Sequence, residues 1–279
     1  MTTRFHTLAA AVAALALSTV GLAGCAAGQE TLKISADATP HAEILQYVQD
    51  SGQLKDTKIQ IETISGEVDP NQLLEAGDVS ANFFQHKPYL DDWQAQHKTN
   101  NLVSVASTHL EPMSIYSHKY TAVADIPAGS TVAVPKDPTN YARALYVLQT
   151  AGLLTMKQPA TEANMSTITE ADIASNAKQL KFVELDRPQL PRTLDDPQVA
   201  ASVINSNYAI EAGLTPSKDG LVTEPVANNP YANILVTTTA KQNDPGMKEL
   251  AAALESPQTA AWIKQKYGDS IVPVHESAK

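Results

Sequence analysis

The sequence predicts an α/β fold of two lobes with a ligand cleft between them. Three observations carry that expectation: strands alternate with helices, the alternation comes in two sets, and only short segments join the sets. Taken in order, TLKIS (31 to 35) alternates as a strand, and PHAEILQYVQDSG follows as a helix with Pro first and Gly past its end. TKIQIETI (57 to 64) is the next strand, PNQLLEAG a short helix stopped by Gly77, and LVSVAS (102 to 107) a strand again. Such a succession predicts a largely parallel sheet.

The second set opens with STVAVP (130 to 135), an apolar strand running into the polar turn KDPTN. The helix after it, expected to start near Thr139 or Asn140, places Ala144, Leu145, Leu148 and Ala151 on one face and stops at Gly152. LKFVEL (180 to 185), VAASVIN (199 to 205) and ANILVTT (232 to 238) read as strands, and DPGMKELAAALES and PQTAAWIKQKYG as helices. The polar stretch 161 to 178 reads as loop with a short helix.

The first residues set the compartment. MTTRFHTL carries one Arg and no acid, an apolar run follows, and small residues LAG precede Cys25. That pattern is a secretory signal over 1 to 24, too short for a membrane span, which needs about 20 apolar residues. Cys25 is the only cysteine, so no intrachain disulfide is possible. The formal net charge of −10 becomes −11 once Arg4 leaves with the signal. No basic stripe exists to neutralise phosphates, which argues against nucleic acid as a partner.

Two stretches carry chemistry. ANFFQHKPYLDDW (81 to 93) holds two of the four Phe and one of the two Trp, beside His86 and Tyr89. If it is extended, Phe83 and Phe84 face opposite sides; rings in a cleft suit an apolar or sulfur-containing tail, rings under a loop are core. In PKDPTNYARAL, Arg143 falls in the first turn of a helix, where the helix dipole disfavours a cation by about 0.3–1 kcal/mol. A bound carboxylate would compensate, and so would Asp137 or another local acid. Asn205 ends one apolar run and Asn233 starts another; both suit an ammonium or a carboxylate, and both suit a turn.

The stretches PHAEIL, DPNQLLEAGDVSANFFQHKPYL, VAVPKDPTNYARAL, LDRPQLPRTLDD, VINSNYA-EAGLTP and PYANILVT together resemble the methionine ABC-transporter substrate-binding lipoproteins, the NlpA family, over nearly the whole mature chain. The resemblance implies a periplasmic-binding-protein fold, type II-like, that closes on its ligand like a hinge. It implies a lipidated tether at 25–30, lobe I from 31–119 plus 228–279, and lobe II from 120–227. LAGC resembles a lipobox, which implies cleavage before Cys25 and a lipid anchor in the membrane on its thiol. Carried over, Phe84, His86 and Tyr89 are the aromatic wall around the ligand side chain, Arg143 the carboxylate clamp, and Asn205 and Asn233 the amides at the amino and carboxylate ends. L-methionine or a similar amino acid is the implied ligand, and an ABC permease and ATPase complex the implied partner. Two positions depart from the family pattern: Glu67 stands where a Tyr packs on the ligand, and Ala142 where Gly flanks the Arg. Glu67 is therefore a ligand-site candidate that turns outward, meets the ammonium, or selects another amino acid or a methionine-containing dipeptide.

Rival classes are weaker. No Gly-x-Ser-x-Gly, His-Glu-x-x-His or phosphate-cradling Gly loop occurs, so neither an enzyme nor a cofactor is expected. His41-Ala-Glu43 lacks the Cys-x-x-Cys of zinc deaminases, and the seven His are scattered without ligand spacing, so no metal is expected. A surface interaction lipoprotein with a degenerate pocket is the remaining alternative, and binding of any small molecule separates it from a receptor.

Overall fold

A computed structural model describes residues 30–64, 68–161 and 164–274; the signal, Cys25 and Glu67 lie outside them. The first sheet is built from β1 (Glu30–Ala36), β2 (Thr57–Thr63), β3 (Ala81–His86) and β4 (Leu102–Leu110), with α1 (Glu43–Asp50), α2 (Pro70–Ala76) and α3 (Lys87–His97) between them. The chain then enters a second sheet through β5 (Ser114–Tyr116) and β6 (Thr131–Pro135), followed by α4 (Pro138–Thr150). A small ribbon, β7 (Thr155–Met156) with β8 (Ile173–Ser175), leads to β9 (Lys181–Leu185) and β10 (Val199–Ile204). After α5 (Ser206–Glu211), α6 (Pro216–Asp219) and β11 (Val222–Thr223), the chain returns through β12 (Asn233–Thr238), α7 (Pro245–Leu254), α8 (Pro257–Tyr267) and β13 (Val272–Pro273).

The strand order is β13-β4-β12-β3-β1-β2 in one sheet and β11-β5-β10-β6-β9 in the other. Both are mixed rather than largely parallel. β1 runs parallel to β2 and β3, but β12 is antiparallel to both β3 and β4. The reason is topological: a chain that leaves a sheet through β4 and returns at the same end through β12 must run in opposite directions in the two. The first change of sheet falls between Leu110 and Ser114, ahead of the expected boundary at 119 to 120, because β5 already pairs with β10. The second falls between Thr223 and Asn233.

Each sheet has its own core. Leu32, Ile34 and Ala36 of β1 alternate with polar neighbours and pack on Ile44, Leu45 and Val48 of α1 and on Met247 and Leu250 of α7. Val132 and Val134 of β6 pack on Leu145 and Leu148 of α4. Each such side chain, fully buried, contributes about 1.5–3 kcal/mol. Ala142, which departs from the family pattern, is buried in this second core, where its methyl packs in lobe interior. The helix expected from Pro40 begins as a π-helical turn over Ala38–Ala42 that runs directly into α1 at Glu43. Thr39 before Pro40 is extended (φ −128°, ψ 134°), as residues preceding proline prefer to be.

The aromatic stretch at 81 to 93 is a strand and then a helix. All six residues of β3 are buried, including Asn82 and Gln85. Those amides bond to Asn71 of α2: Asn71 Nδ2 donates to Gln85 Oε1 (2.9 Å), and Asn71 Oδ1 accepts from Asn82 Nδ2 (2.9 Å). The polar residues inside this central strand therefore fasten a helix to it. Asp69 does two tasks beside them: Oδ1 accepts from the Asn71 and Gln72 amides at the start of α2, and Oδ2 from the Trp93 indole (2.7 Å). Asp69→Ala is expected to lower stability by about 1–2 kcal/mol in thermal unfolding, and an unchanged midpoint would refute both roles.

Candidate functional site

A cleft of about 690 Å³ opens between the two sheets, lined among others by Asp37, Phe84, Tyr89, Asp137, Arg187 and Tyr208. Asp37 directly follows β1, Asp137 caps the helix after β6, and Arg187 opens the 3-10 helix after β9. Open α/β sheets place ligands at these carboxyl ends of strands.

Of the residues singled out in the sequence, Phe84 and Tyr89 reach this cleft, their rings edge to face at 5.7 Å. His86, Arg143, Asn205 and Asn233 lie buried behind it in a contiguous polar floor. His86 Nδ1 accepts from the Tyr89 amide (3.2 Å) at the start of α3, so Nε2 carries the proton and donates to Asn140 Oδ1 (3.3 Å). Burial, then the Arg143 charge, holds this imidazole well below its ordinary pKa and therefore neutral. Asn205 Nδ2 donates to the same Asn140 oxygen (3.0 Å), while Asn205 Oδ1 is buried without a partner among the described residues. Asn140 was not singled out in the sequence, although its place at the first turn of α4, bonded to the Asp137 cap, puts it beside Arg143.

Arg143 has found its compensating acid, and it is neither Asp137 nor a residue nearby in sequence. Its Nε lies 3.1 and 3.0 Å from the two carboxylate oxygens of Glu224, 81 residues on, and Nη2 also bonds Glu224 Oε1. Nη2 further donates to the Glu111 carbonyl (2.8 Å), and Glu224 Oε1 accepts from the Met113 amide (2.9 Å). Glu111 and Met113 belong to the first crossover between sheets, and Glu224 to the second. Arg143 thus ties the two crossovers together, with its guanidinium 4.1 Å from the centre of the Tyr231 ring. The Nη1 group has no hydrogen-bond partner among the described residues.

Beneath the floor, His41 meets His109 and Glu111, a pair two residues apart at the end of β4. His41 Nε2 and His109 Nε2 lie 3.2 and 2.9 Å from Glu111 Oε1, and His41 Nε2 lies 3.0 Å from Asn233 Oδ1. These spacings match the edges of a metal cage as well as hydrogen bonds. The ring chemistry decides for hydrogen bonds. Neither Nδ1 has a partner among the described residues, so metal ligation through Nε2 would bury two unmet N–H donors. As neutral rings, His41 donates Nε2–H to Asn233 Oδ1 and His109 donates Nε2–H to Glu111 Oε1. Burial pushes His41 down to about 4 and His109 to about 3, and raises Glu111. Sequence spacing offered no sign of this cluster.

The cleft itself is charged on both walls. Burial pushes the Asp37 carboxyl up to about 7 against the opposing charge of Arg187, and Asp37 accepts from Asn207 Nδ2 (3.1 Å).

Two α/β sheets joined by paired crossovers, with a cleft at their strand ends and a floor of amides, a neutral histidine and an arginine, define a two-lobed substrate-binding protein. The chain belongs to the family described as NlpA lipoprotein, which matches residues 32–275. It is 39% identical over 261 residues to the D-methionine-binding lipoprotein MetQ of Salmonella typhi, covering 92% of this chain and 93% of that one. Among solved structures, a nutrient-binding protein from Burkholderia cenocepacia bound to methionine is 39% identical with a TM-score of 0.80, over 87% of this chain and 99% of that one. An ABC-transporter periplasmic substrate-binding protein from Coxiella burnetii has a TM-score of 0.79 at 39% identity, with the same coverage of 87% and 99%.

Proposed function

We propose that this chain is an extracytoplasmic receptor of an ABC importer, anchored by lipid on Cys25, that binds L-methionine or a close relative between two closing lobes. The observation that carries the reading is the polar floor behind the Phe84–Tyr89 wall. Among the described residues a buried Asn205 Oδ1 there lacks a donor and the Arg143 bonds use only Nε and Nη2, leaving Nη1, and the two connect through Asn140, His86 and Tyr231. An α-amino acid supplies both missing groups, an ammonium for the oxygen and a carboxylate for the guanidinium, while its tail lies along the rings. Asn233, bonded to His41, borders the same floor from the first sheet. The methionine-binding relatives support the choice of tail. On this reading the role is binding and release to a permease and its ATPase, without catalysis, and the two crossovers act as the hinge.

Titration calorimetry of the soluble protein lacking Cys25, refolded to remove carried ligand, tests the reading. One L-methionine bound per chain is expected, and Asn205→Ala is expected to weaken it ten- to a hundredfold with little change in unfolding temperature. Absence of binding in the folded wild type would overturn the receptor assignment.

A further inference from the structure

Arg187 is a charged group of the cleft to which the assignment above gives no role. It follows β9 in the second lobe, and its guanidinium sits 5.1 Å from the centre of the Tyr89 ring and 5.7 Å from that of Tyr208. Tyr89 belongs to the first lobe and Tyr208 to the second, so the cation is held between one ring of each. Its nearest acid is Asp137, whose Oδ2 lies 3.5 Å from Nε, beyond a normal hydrogen bond. Asp137 uses Oδ1 for the cap of α4. The two terminal nitrogens of Arg187 make no hydrogen bond among the described residues, although its side chain is only 18% exposed. Burial alone would lower its pKa, but Tyr208, Asp137, Tyr89 and Asp37 raise it above the ordinary value, so it stays charged.

An unmet fork of donors facing a cleft is costly to close over an apolar tail, because closure removes the water that serves it. A carboxylate meets it with two parallel bonds. We propose that Arg187 seats a carboxylate at the far end of the ligand's tail, making it a specificity-determining residue for amino acids or short peptides that carry a second carboxylate. The inference rests on the preceding reading, in which the tail runs along Tyr89 away from the amino-acid end. The same charge also explains how this cleft differs from one built for a thioether alone: the wall offers rings to the tail's methylenes and a guanidinium to its tip.

The test compares ligands of equal length. L-norleucine and L-2-aminoadipate share a six-carbon chain and differ only in whether it ends in methyl or carboxylate. Calorimetry on wild type and Arg187→Gln is expected to show 2-aminoadipate favoured in wild type and that preference lost by ten- to a hundredfold in the variant. L-methionylglycine against its C-terminal amide asks the same of a peptide carboxylate; a ratio that responds only there assigns Arg187 to peptide ends rather than acidic side chains. The proposal is overturned if neither ratio changes between wild type and variant. If L-methionine still binds in that case, the receptor reading survives; if no ligand binds wild type, the receptor reading fails with it.

Discussion

Arg143→Ala is expected to destabilise the unliganded protein by about 3–5 kcal/mol, the usual consequence of leaving one member of a buried ion pair alone. The side chain is 2% exposed, and its removal leaves the Glu224 carboxylate, 8% exposed, with the Met113 amide as its remaining donor. It also leaves the Glu111 carbonyl without the Nη2 donor. This differs from the behaviour of a residue that serves only the ligand, whose loss spares the fold. Denaturant unfolding of Arg143→Ala, Glu224→Ala and the double variant separates the cases. The double variant should lose less than the sum of the singles, since the second change relieves an uncompensated charge created by the first. A fully stable Arg143→Ala would show that the tie between crossovers carries no energy.

Acid should unfold this protein through its histidines. His41, His109 and His86 are neutral in the fold, with His41 held near 4 and His109 near 3 by burial and His86 well below its usual value. In the unfolded chain each titrates near 6.5, so between that value and the folded one the unfolded state binds more protons. Stability is therefore complete above about 6.5 and falls as pH drops towards 4, by on the order of 3 kcal/mol for His41 alone. Asp37 and Glu111 act in the opposite sense. Their carboxyls are raised, Asp37 from 3.8 to about 7, so what they contribute is present at low pH and lost as pH rises through the raised value. Three imidazoles outweigh the two acids. Unfolding temperatures measured from pH 7 down to 4.5 should fall, and Asp37→Asn should steepen that fall by removing an opposing group. A flat profile in wild type, or a shallower one in Asp37→Asn, would contradict this balance.

The surface-facing logic of the chain was legible in its sequence and the interior logic less so. Strands with one polar face, such as β1 and β2, announce themselves by alternation. β3 does not, because as a central strand it is buried on both faces and even its Asn82 and Gln85 point into bonded interior. The dipole argument correctly marked Arg143 as needing a counter-charge, but nothing local could point 81 residues ahead to Glu224. His41 meets the neighbouring pair His109 and Glu111 only because β1 and β4 share a sheet. Arg187 lay within LDRPQLPRTLDD, yet only the fold turns it towards Tyr89 on the other lobe. Type and spacing left Phe84 and Tyr89 open between cleft and core, and only the family resemblance placed them in a cleft, whereas His86, Asn205 and Asn233 needed the tertiary structure to show what they bond.

The threading of the sheets also bears on how such a chain is made. The second sheet is assembled entirely from β5 to β11, one continuous stretch, so its core can condense as soon as that stretch exists. The first sheet cannot. Its interior strand β12 sits between β3 and β4 but is synthesised after the whole second lobe. Until that strand arrives, β3 and β4 have no common neighbour to hold them in one sheet, and the N-terminal portion lacks the long-range pairings that reward its closure. The nascent chain therefore keeps its first strands without their final partner for most of its synthesis, and the first lobe is the one that locks last.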